Sequence, residues 1–346
     1  MSHHPPIRMA LIGAGRIGSN HAELVAHQVP GASLVAVADP TPNADVLSER
    51  LGVDAERSAE AVLSRDDVDA VLITTPARTH TDLVVAAAAA GKHVFVEKPM
   101  AVTLSDADRA IAAAADAGVV LQVGFNRRFA PGFAAARAAV DAGRVGTPQL
   151  LRSLTRDPGP FTADPARIPP WTIFLETLIH DFDALCFLNP GATPVRVTAH
   201  ADALIRPDAK DSGHLDTAVV TVVFDNGAIA TAEASFCAAY GYDVRGEVFG
   251  SAGMVTVGDV RATDMTCYGA DGIGIDTARR DTDLLRSAYL GELTAFADAA
   301  RSASPVLVTG ADARTALAIA LAAIRSVETD ATVAISDIDT PAGVTA

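Results

Sequence analysis

Two short motifs in the first hundred residues carry side chains and backbone suited to chemistry on a bound dinucleotide. The first is a glycine-rich turn, Gly13-Ala14-Gly15-Arg16-Ile17-Gly18, which directly follows the apolar run Ile7–Ile12. The second is Glu97-Lys98-Pro99, which follows the apolar run Val94–Val96. The glycine turn predicts phosphate binding, and Lys98 places an amine at the end of a later strand of the same sheet. Together the two motifs favour hydride transfer involving a nicotinamide.

The context of the glycine turn makes it more specific than its glycines alone. An apolar strand precedes it, and apolar residues recur with helical spacing from Ile17 to Val25. This strand, turn and helix place a pyrophosphate at the free N–H groups of the helix N-terminus. Gly13 is expected to permit the turn, Gly15 to let the backbone approach the phosphates, and Gly18 to let helix and strand pack closely.

Asp39 predicts which dinucleotide is bound. It ends a second apolar run, Leu34–Ala38. A carboxylate about 20 residues beyond the glycines can accept hydrogen bonds from both hydroxyls of an adenosine ribose. It would repel a 2′-phosphate, so NAD is favoured over NADP. The alternative is an ordinary turn aspartate ahead of Pro40.

The composition describes a globular protein and excludes several classes of partner. The 346 residues are 49% hydrophobic and 20% charged, which is enough for two domains with apolar cores. A net charge of −15 argues against nucleic acid and anionic membranes as partners. The three cysteines form no ligand pattern, so no metal site is predicted. Without a signal-like or membrane-spanning apolar run, we expect a cytoplasmic protein.

Strand and helix patterns alternate from residue 7 to about residue 123, which predicts a parallel, doubly wound sheet. Ligands bind such sheets at the carboxyl ends of the strands. Asp39, Thr75-Pro76, Glu97-Lys98 and Gly124 each follow a predicted strand, so we expect them to converge on one crevice.

After residue 124 the pattern changes to successive strands with few helices between them, which predicts a mainly antiparallel sheet. Asp225-Asn226-Gly227 is typical of a hairpin turn between two of these strands. The predicted fold class is therefore α/β, with a dinucleotide-binding domain over residues 1–124 and an α+β domain over residues 125–346.

Two side chains are candidates for handling the proton of a reacting hydroxyl. Lys98 lies beside Pro99 at a strand end, where burial and the positive nicotinamide would lower its pKa. His180 follows Glu176 by four residues, so on a helix the carboxylate would orient the imidazole and raise its basicity. Histidine is suited to accept a hydroxyl proton at neutral pH. The alternatives are a surface lysine paired with Glu97, a solvated Glu176–His180 pair, and a buried histidine bound to a backbone carbonyl.

These motifs resemble the Gfo/Idh/MocA oxidoreductases and, within them, the inositol 2-dehydrogenase group. The similarity extends over nearly the whole chain, and Glu97-Lys98-Pro99 together with the histidine helix is its most specific part. The other matching segments are the glycine turn, Thr75-Pro76…His80, Gly91–Val94, Gly124–Phe129, Arg156–Pro158, Tyr240–Asp243 and Ala288–Leu293.

The resemblance implies a Rossmann domain followed by an α+β domain whose large open sheet serves oligomer contact, in a tetramer or dimer. It also implies that Lys98 and His180 are the family's catalytic lysine and histidine. The residues it implies for the cofactor are Gly13, Gly15, Arg16, Ile17, Gly18, Asp39, Thr75, Pro76, His80, Glu97 and Lys98. Those it implies for the substrate are Asn126, Arg127, Arg156, Asp157 and Tyr240. A surface position is the alternative for Arg127 and Arg128, and packing against the sheet is the alternative for Tyr240 and Tyr242.

Two departures from the inositol group leave the substrate open. Glu176 stands where an aspartate is usual, and its extra methylene shifts the carboxylate by about one bond length. A shift of that size can matter in an active site. The stretch Pro169–Thr172 lacks a usual glycine pair, and Trp171 would narrow the pocket or stack on a sugar ring.

The resulting hypothesis is NAD-dependent oxidation of a secondary hydroxyl of an inositol-like polyol or sugar to a ketone. Lys98 would polarise the hydroxyl, His180 would accept its proton, and Glu176 would orient His180 or bind a neighbouring hydroxyl. Reduction of a keto-sugar by the same fold is one alternative. A non-catalytic NAD-binding sensor is another, although it would be expected to lose the lysine or the histidine. A structural oligomer without ligand leaves Asp39 and the glycines unexplained.

Overall fold

The structure is a computed structural model that describes residues 5–159, 168–258, 260–302 and 304–339. The chain divides into two compact units. The first unit comprises the residues up to Phe129 together with Ser287–Arg314, and the second comprises Ala130–Arg286 together with the chain from Thr315 onward. The first break lies close to the domain boundary proposed at residues 124 and 125. Residues 287–314 also belong to the first unit, whereas the division predicted from the sequence placed them in the second domain.

The strands and helices alternate in the first third of the chain and then separate into runs. The strands are β1 (Ile7–Ile12), β2 (Ala32–Ala38), β3 (Asp54–Glu56), β4 (Ala70–Ile73), β5 (His93–Val96), β6 (Leu121–Val123), β7 (Pro148–Arg156), β8 (Pro194–Asp202), β9 (Thr217–Phe224), β10 (Ile229–Ser235), β11 (Asp243–Gly250), β12 (Gly253–Val257), β13 (Arg261–Gly269), β14 (Gly272–Thr277) and β15 (Val333–Ala334). The helices are α1 (Arg16–His27), α2 (Asn43–Leu51), α3 (Ala59–Leu63), α4 (His80–Ala89), α5 (Leu104–Ala117), α6 (Pro131–Asp141), α7 (Ile179–Leu188), α8 (Asp281–Leu284), α9 (Arg286–Ser302), α10 (Gly310–Thr329) and α11 (Ser336–Asp339).

The first unit contains a six-stranded sheet in the order β3-β2-β1-β4-β5-β6, and every neighbouring pair is parallel. This confirms the predicted doubly wound sheet. Its central strands are continuous apolar runs because both faces are covered, and Met9, Ala10 and Leu11 are fully buried. The strand order reverses between β1 and β4, which is where such sheets bind ligands.

The second unit contains a seven-stranded sheet in the order β12-β11-β7-β10-β9-β8-β15. All neighbouring pairs are antiparallel except β7 and β10, so the predicted mainly antiparallel sheet is confirmed as a mixed one. The turn Asp225-Asn226-Gly227 joins β9 to β10, and Gly227 takes the left-handed φ of 86° that such a turn requires.

The hairpin of β13 and β14 is a separate two-stranded sheet that the sequence patterns did not predict. Most of its residues are exposed, so no alternation between a buried and a solvated face marks the strands in the sequence. Pairing between the two backbones defines these strands, and pairing partners cannot be read from one strand alone.

Candidate active site

The glycine turn joins β1 to α1, and its geometry fits the three predicted glycine roles. Gly13 has a φ of 104°, and a Cβ there would lie 2.8 Å from the backbone atoms of Thr74 and Thr75. A Cβ at Gly18 would overlap the carbonyl oxygen of Gly13. At Gly15 no atom lies within 4 Å of the position of a Cβ. The turn is therefore tightly packed at both ends and open at its centre, where a pyrophosphate needs close access to backbone N–H groups.

Thr74, directly after β4, holds the glycine turn and was not singled out from the sequence. Its hydroxyl donates a hydrogen bond to the carbonyl of Gly13 at 2.6 Å. A hydroxyl residue directly after a fully apolar strand was the available signal. The same strand end leads into Thr75 and Pro76, which were predicted.

The carboxylate of Asp39 binds both the glycine turn and the loop after β2. One oxygen accepts a hydrogen bond from the backbone of Ala14 at 2.8 Å. The other accepts from the backbone and hydroxyl of Thr41 at 2.8 and 2.6 Å. Burial raises the pKa of Asp39, but the hydrogen bonds from Thr41 and Ala14 outweigh it, so the pKa lies below its usual value. The side chain is therefore an anion at neutral pH, as a group that repels a 2′-phosphate must be.

A cavity of about 770 Å³ collects the predicted cofactor residues from three strand ends. It is lined by Gly13 and Gly15 after β1, Asp39 after β2, and Thr75 and Pro76 after β4. This is the edge of the sheet at which the strand order reverses. The open glycine, the anionic Asp39 and the volume of the cavity fit the adenosine and pyrophosphate of NAD.

His80, at the start of α4, connects two loops of the first unit. It is 1% exposed. One ring nitrogen lies 2.7 Å from the carbonyl oxygen of Thr75, and the other lies 2.9 Å from that of Pro99. The ring therefore ties the segment after β4 to the segment after β5. Direct contact between His80 and the cofactor stays a prediction, and the geometry favours an indirect role.

Glu97 is directed into the interior of the first unit. Its Oε1 lies 2.7 Å from Nε2 of His21 on α1, and its Oε2 accepts a hydrogen bond from the backbone of Lys98 at 3.2 Å. Gly124 makes room for it, since a Cβ there would lie 3.1 Å from the Glu97 carboxyl carbon. Burial raises the pKa of Glu97, but His21 and Lys98 outweigh it, so the pKa lies below its usual value. The carboxylate therefore fixes the backbone of Lys98, which is half-buried. Direct contact between Glu97 and the cofactor stays a prediction.

Asn126 and Arg127 lie in a 3-10 turn directly after β6, and both are buried. The surface alternative for the arginines is therefore excluded. The neighbouring Arg128 pairs with Asp312 at 3.0 Å and donates to the carbonyl of Leu307 at 3.1 Å. Arg128 thus serves the packing of the first unit, while the substrate contacts of Asn126 and Arg127 stay predictions.

The histidine segment in the second unit departs from the regular helix that the sequence indicated. Ile173–Leu178 is a π-helical turn, and α7 begins at the residue before His180. Trp171 precedes the turn with a φ of 61°, which is an uncommon conformation for a bulky residue. The shared-face argument for Glu176 and His180 assumes α-helical spacing, which a π turn changes. The orientation of His180 by Glu176 therefore stays a prediction.

Asp181, the neighbour of His180, fixes the start of α7 on the sheet. It is fully buried and accepts hydrogen bonds from the hydroxyls of Ser153 and Thr155 at 2.6 and 2.7 Å. These hydroxyls lie two residues apart on β7, so they share the face that packs on α7. Sequence reasoning missed this bond, although an acid within an apolar helix and two alternating hydroxyls on a strand were visible signals.

Arg156 lies on the other face of β7, because the strand alternates. It pairs with Glu233 at 2.7 Å, as does Arg152. Burial raises the pKa of Glu233, but the two guanidinium groups outweigh it and keep the pKa below its usual value. Substrate contact by Arg156 stays a prediction that this geometry does not favour.

The two tyrosines of the segment Tyr240–Asp243 have different partners. Tyr240 is 49% exposed and donates to Asp243 at 2.8 Å, and Asp243 is registered with Arg156. Tyr242 instead donates to Asp157 at 2.7 Å. Because Asp157 follows Thr155 by two residues, it continues the face that packs on α7. The geometry thus favours Asp157 with Tyr242 over Arg156 with Tyr240 as neighbours of the histidine helix.

Comparisons with known proteins agree with both units. Residues 7–125 match the family described as an oxidoreductase family with an NAD-binding Rossmann fold, and residues 133–256 match the GFO/IDH/MocA C-terminal domain. The chain is 36% identical over 324 residues to a scyllo-inositol 2-dehydrogenase (NAD(+)) of Bacillus subtilis, covering 92% of this chain and 94% of that protein. It is 37% identical over 338 residues to a myo-inositol 2-dehydrogenase of Thermotoga maritima, covering 96% and 99%.

The chain belongs to the GFO/IDH/MocA oxidoreductase family. A scyllo-inositol dehydrogenase from Lactobacillus casei, solved with NAD(H) and scyllo-inositol, has a TM-score of 0.92 at 27% identity, covering 96% of this chain and 99% of that one. This family member is therefore an NAD-dependent dehydrogenase, as the glycine turn and Asp39 predicted. Among the described residues, no helix has both the length and the apolar character that a membrane crossing requires.

Gly15→Ala and Gly18→Ala form a matched pair that separates binding from folding. We expect Gly15→Ala to fold like the wild type, because its methyl group enters open space, but to raise the Kd for NAD about tenfold or more by blocking the phosphates. Gly18→Ala should lose about 1–3 kcal/mol of unfolding free energy through overlap with Gly13. Calorimetry and thermal unfolding measure the two effects. Unchanged NAD affinity in Gly15→Ala would contradict the assignment.

Asp39→Asn tests the anionic group that discriminates between the cofactors. We expect kcat/KM for NAD to fall about tenfold. The ratio of kcat/KM for NAD to kcat/KM for NADP should fall about 100-fold, because the repulsion of a 2′-phosphate is removed. Initial rates with both cofactors measure this. A variant that keeps the wild-type preference would show that another residue selects NAD.

Proposed function

We propose that this protein oxidises a secondary hydroxyl of an inositol or a closely related cyclic polyol to a ketone. The observation that carries the proposal is the similarity of 36–37% identity, over more than nine-tenths of the chain, to two inositol 2-dehydrogenases. The cavity at Gly15 and Asp39 supports the cofactor half of the reaction. The bound nicotinamide supplies the hydride acceptor.

The chain itself must bind the polyol and remove the hydroxyl proton. Lys98 donates a hydrogen bond to the reacting oxygen, and its backbone is held for this by the Glu97 carboxylate. His180 accepts the proton, and its helix is held on β7 by Asp181. Glu176 orients His180 or binds a neighbouring hydroxyl. In the reductive direction the same groups act in reverse, so the alternative of a keto-sugar reductase differs in substrate supply and not in machinery.

The proposed substrate contacts follow the geometry of the two units. Asn126 and Arg127 are buried after β6 in the first unit, at the strand-end edge. Asp157, held by Tyr242, lies on the α7 side of the sheet in the second unit. Trp171 is proposed as an apolar surface against the polyol ring, since its left-handed backbone is a strain of the kind that clusters at ligand sites.

The catalytic roles are tested with Lys98→Ala and His180→Ala on a panel of inositols, aldoses and sugar acids. Each variant should lower kcat about 10³-fold or more because proton transfer is removed, and His180→Ala should change the Kd for NAD less than about threefold because His180 is not a predicted cofactor residue. The matched controls are Lys210→Ala, whose ammonium pairs with Asp202 on the surface, and His200→Ala, which is exposed. Wild-type turnover in either active-site variant would refute the assigned role.

If NAD binds and no panel member is oxidised, the corresponding ketones are offered with NADH. Turnover in that direction would replace the oxidative proposal with the reductive one. Absence of turnover in both directions would favour a non-catalytic NAD-binding protein.

We also propose that the exposed face of the seven-stranded sheet forms an oligomer contact. Direct register places Leu150, Ile229, Phe249 and Met254 on this face, opposite the one that packs on α7. All four are 43–54% exposed, so together they leave a continuous apolar surface in water.

Phe249→Glu should convert the assembled protein to a smaller species, because it places a carboxylate at the centre of this apolar face. Light scattering coupled to gel filtration measures the mass. Val46→Glu is the control, since Val46 is 65% exposed on α2 in the first unit. An unchanged mass in Phe249→Glu would place the contact elsewhere.

A further inference from the structure

Three buried ionisable side chains of the first unit lie close together, and two of them, His21 and Glu292, have no part in the proposed reaction. The three are His21 on α1, Glu97 after β5 and Glu292 on α9, and their nitrogen and oxygen atoms lie within 4.8 Å of one another. His21 and Glu292 are fully buried, and Glu97 is 8% exposed. The rings of Phe95 and Tyr289 lie against His21, with centroids 5.5 and 5.6 Å away. These two rings therefore shield the imidazole of His21 from water.

Glu97 has partners suited to a carboxylate. Nε2 of His21 lies 2.7 Å from one of its oxygens, and the backbone of Lys98 donates to the other at 3.2 Å. Lys98 also contributes positive charge that favours the ionised form. The negative charge of the cluster therefore belongs on Glu97.

Glu292 has no such partners. Within the described residues, neither of its carboxyl oxygens has a hydrogen-bond donor. Burial, followed by the negative charge of Glu97, raises the pKa of Glu292 well above its ordinary value. A second carboxylate here would be an uncompensated charge next to a like charge, away from water.

Residues of β6 and the position after it fix the main chain at Glu292 and provide the space for the Glu97 carboxylate. Gln122 on β6 donates its amide to the main-chain carbonyl of Glu292 at 2.8 Å, which fixes α9 on the sheet. Gly124, two residues later, leaves the space that the Glu97 carboxylate fills. Among the described residues, the ionisable groups that lie against the Glu292 carboxyl group are His21 from α1 and Glu97 after β5, while β6 contributes a neutral amide to its main chain.

We propose that Glu292 is kept as the neutral acid and is a positioning residue for Lys98, acting through Glu97. The neutral carboxyl group packs beside the Glu97 carboxylate without repelling it, and Glu97 holds the Lys98 backbone at the strand end. Ionised Glu292 would push Glu97 away from this bond. The inference rests on the proposed function because it gives Lys98 a role in the reaction.

Two glutamine substitutions test which carboxyl group is neutral, since an amide mimics a neutral acid and not a carboxylate. Glu292→Gln should keep kcat within about threefold of wild type, whereas Glu97→Gln should lower it about 30-fold or more with the Kd for NAD little changed. Glu292→Ala should be more damaging than Glu292→Gln, because it removes the packing as well as the proton. The opposite order of the two glutamine variants would overturn the proposal.

Stability against pH gives a readout independent of turnover. In the unfolded chain Glu292 ionises near its ordinary pKa of 4.5, whereas in the folded protein it stays protonated to higher pH. The unfolded state therefore loses this proton first, and wild-type stability falls as pH rises from about 4.5 towards the folded pKa. Glu292→Gln carries no such proton, so its Tm should rise relative to wild type between pH 5 and pH 8. A Tm difference that does not change with pH would contradict the neutral acid.

Infrared spectroscopy detects the proton directly and separates this inference from the proposed function. The carbonyl stretch of a buried protonated carboxyl group should be present in the wild type at pH 7 and absent in Glu292→Gln. If this band is found while Lys98→Ala keeps full turnover, the proposed function fails and the proton assignment stands. If the band is missing while Lys98→Ala is inactive, the inference fails alone. A stoichiometric divalent metal in the purified protein would also overturn it, because metal binding requires ionised carboxyl groups.

Discussion

The close packing of the glycine turn against the end of β4 is the constraint on which most of the first unit depends. Only residues without a Cβ fit at Gly13 and Gly18, and the Thr74 hydroxyl closes the contact. This packing sets the position of α1 against the sheet. It therefore also sets His21, which lies on α1 and holds the Glu97 carboxylate. The glycine turn and the backbone of Lys98 are thus linked through one helix.

Each unit fixes a proposed reactive side chain through the acid beside it in the sequence. Glu97 precedes Lys98 and binds its backbone, and Asp181 follows His180 and binds two hydroxyls on β7. In both cases the acid is buried and hydrogen-bonded, so its orientation is well determined. A reactive side chain must reach a substrate and therefore cannot be fully buried, whereas the acid next to it in the sequence can be. The arrangement provides rigidity without covering the reactive group.

The structure defines the proposed cofactor groove of the first unit more closely than it defines the proposed substrate residues of either unit. Asp39 and the open position at Gly15 line one cavity at the strand ends, and the ribose and pyrophosphate of NAD are the ligand groups proposed for it. In the second unit, the π-helical turn and Trp171 shape the segment that leads to His180. Glu176 and Trp171, two positions at which the sequence departs from the pattern of the inositol group, lie in this turn and shortly before it, so substrate preference is expected to arise there.

The sequence by itself determined the parallel sheet, the glycine turn between β1 and α1 and the position of Asp39 at a strand end, because each depends on residues close together in the chain and on regular periodicity. Only the tertiary structure decided the directions of Glu97 and His80, since their partners lie on other elements. It also placed Glu292 on α9 in the first unit, although Glu292 follows Glu97 by about 195 positions in the sequence. The π-helical turn and the face of Arg156 were likewise fixed by packing and strand pairing. Long-range packing decides these features because a side chain's spacing along the chain does not specify which distant element will bury it.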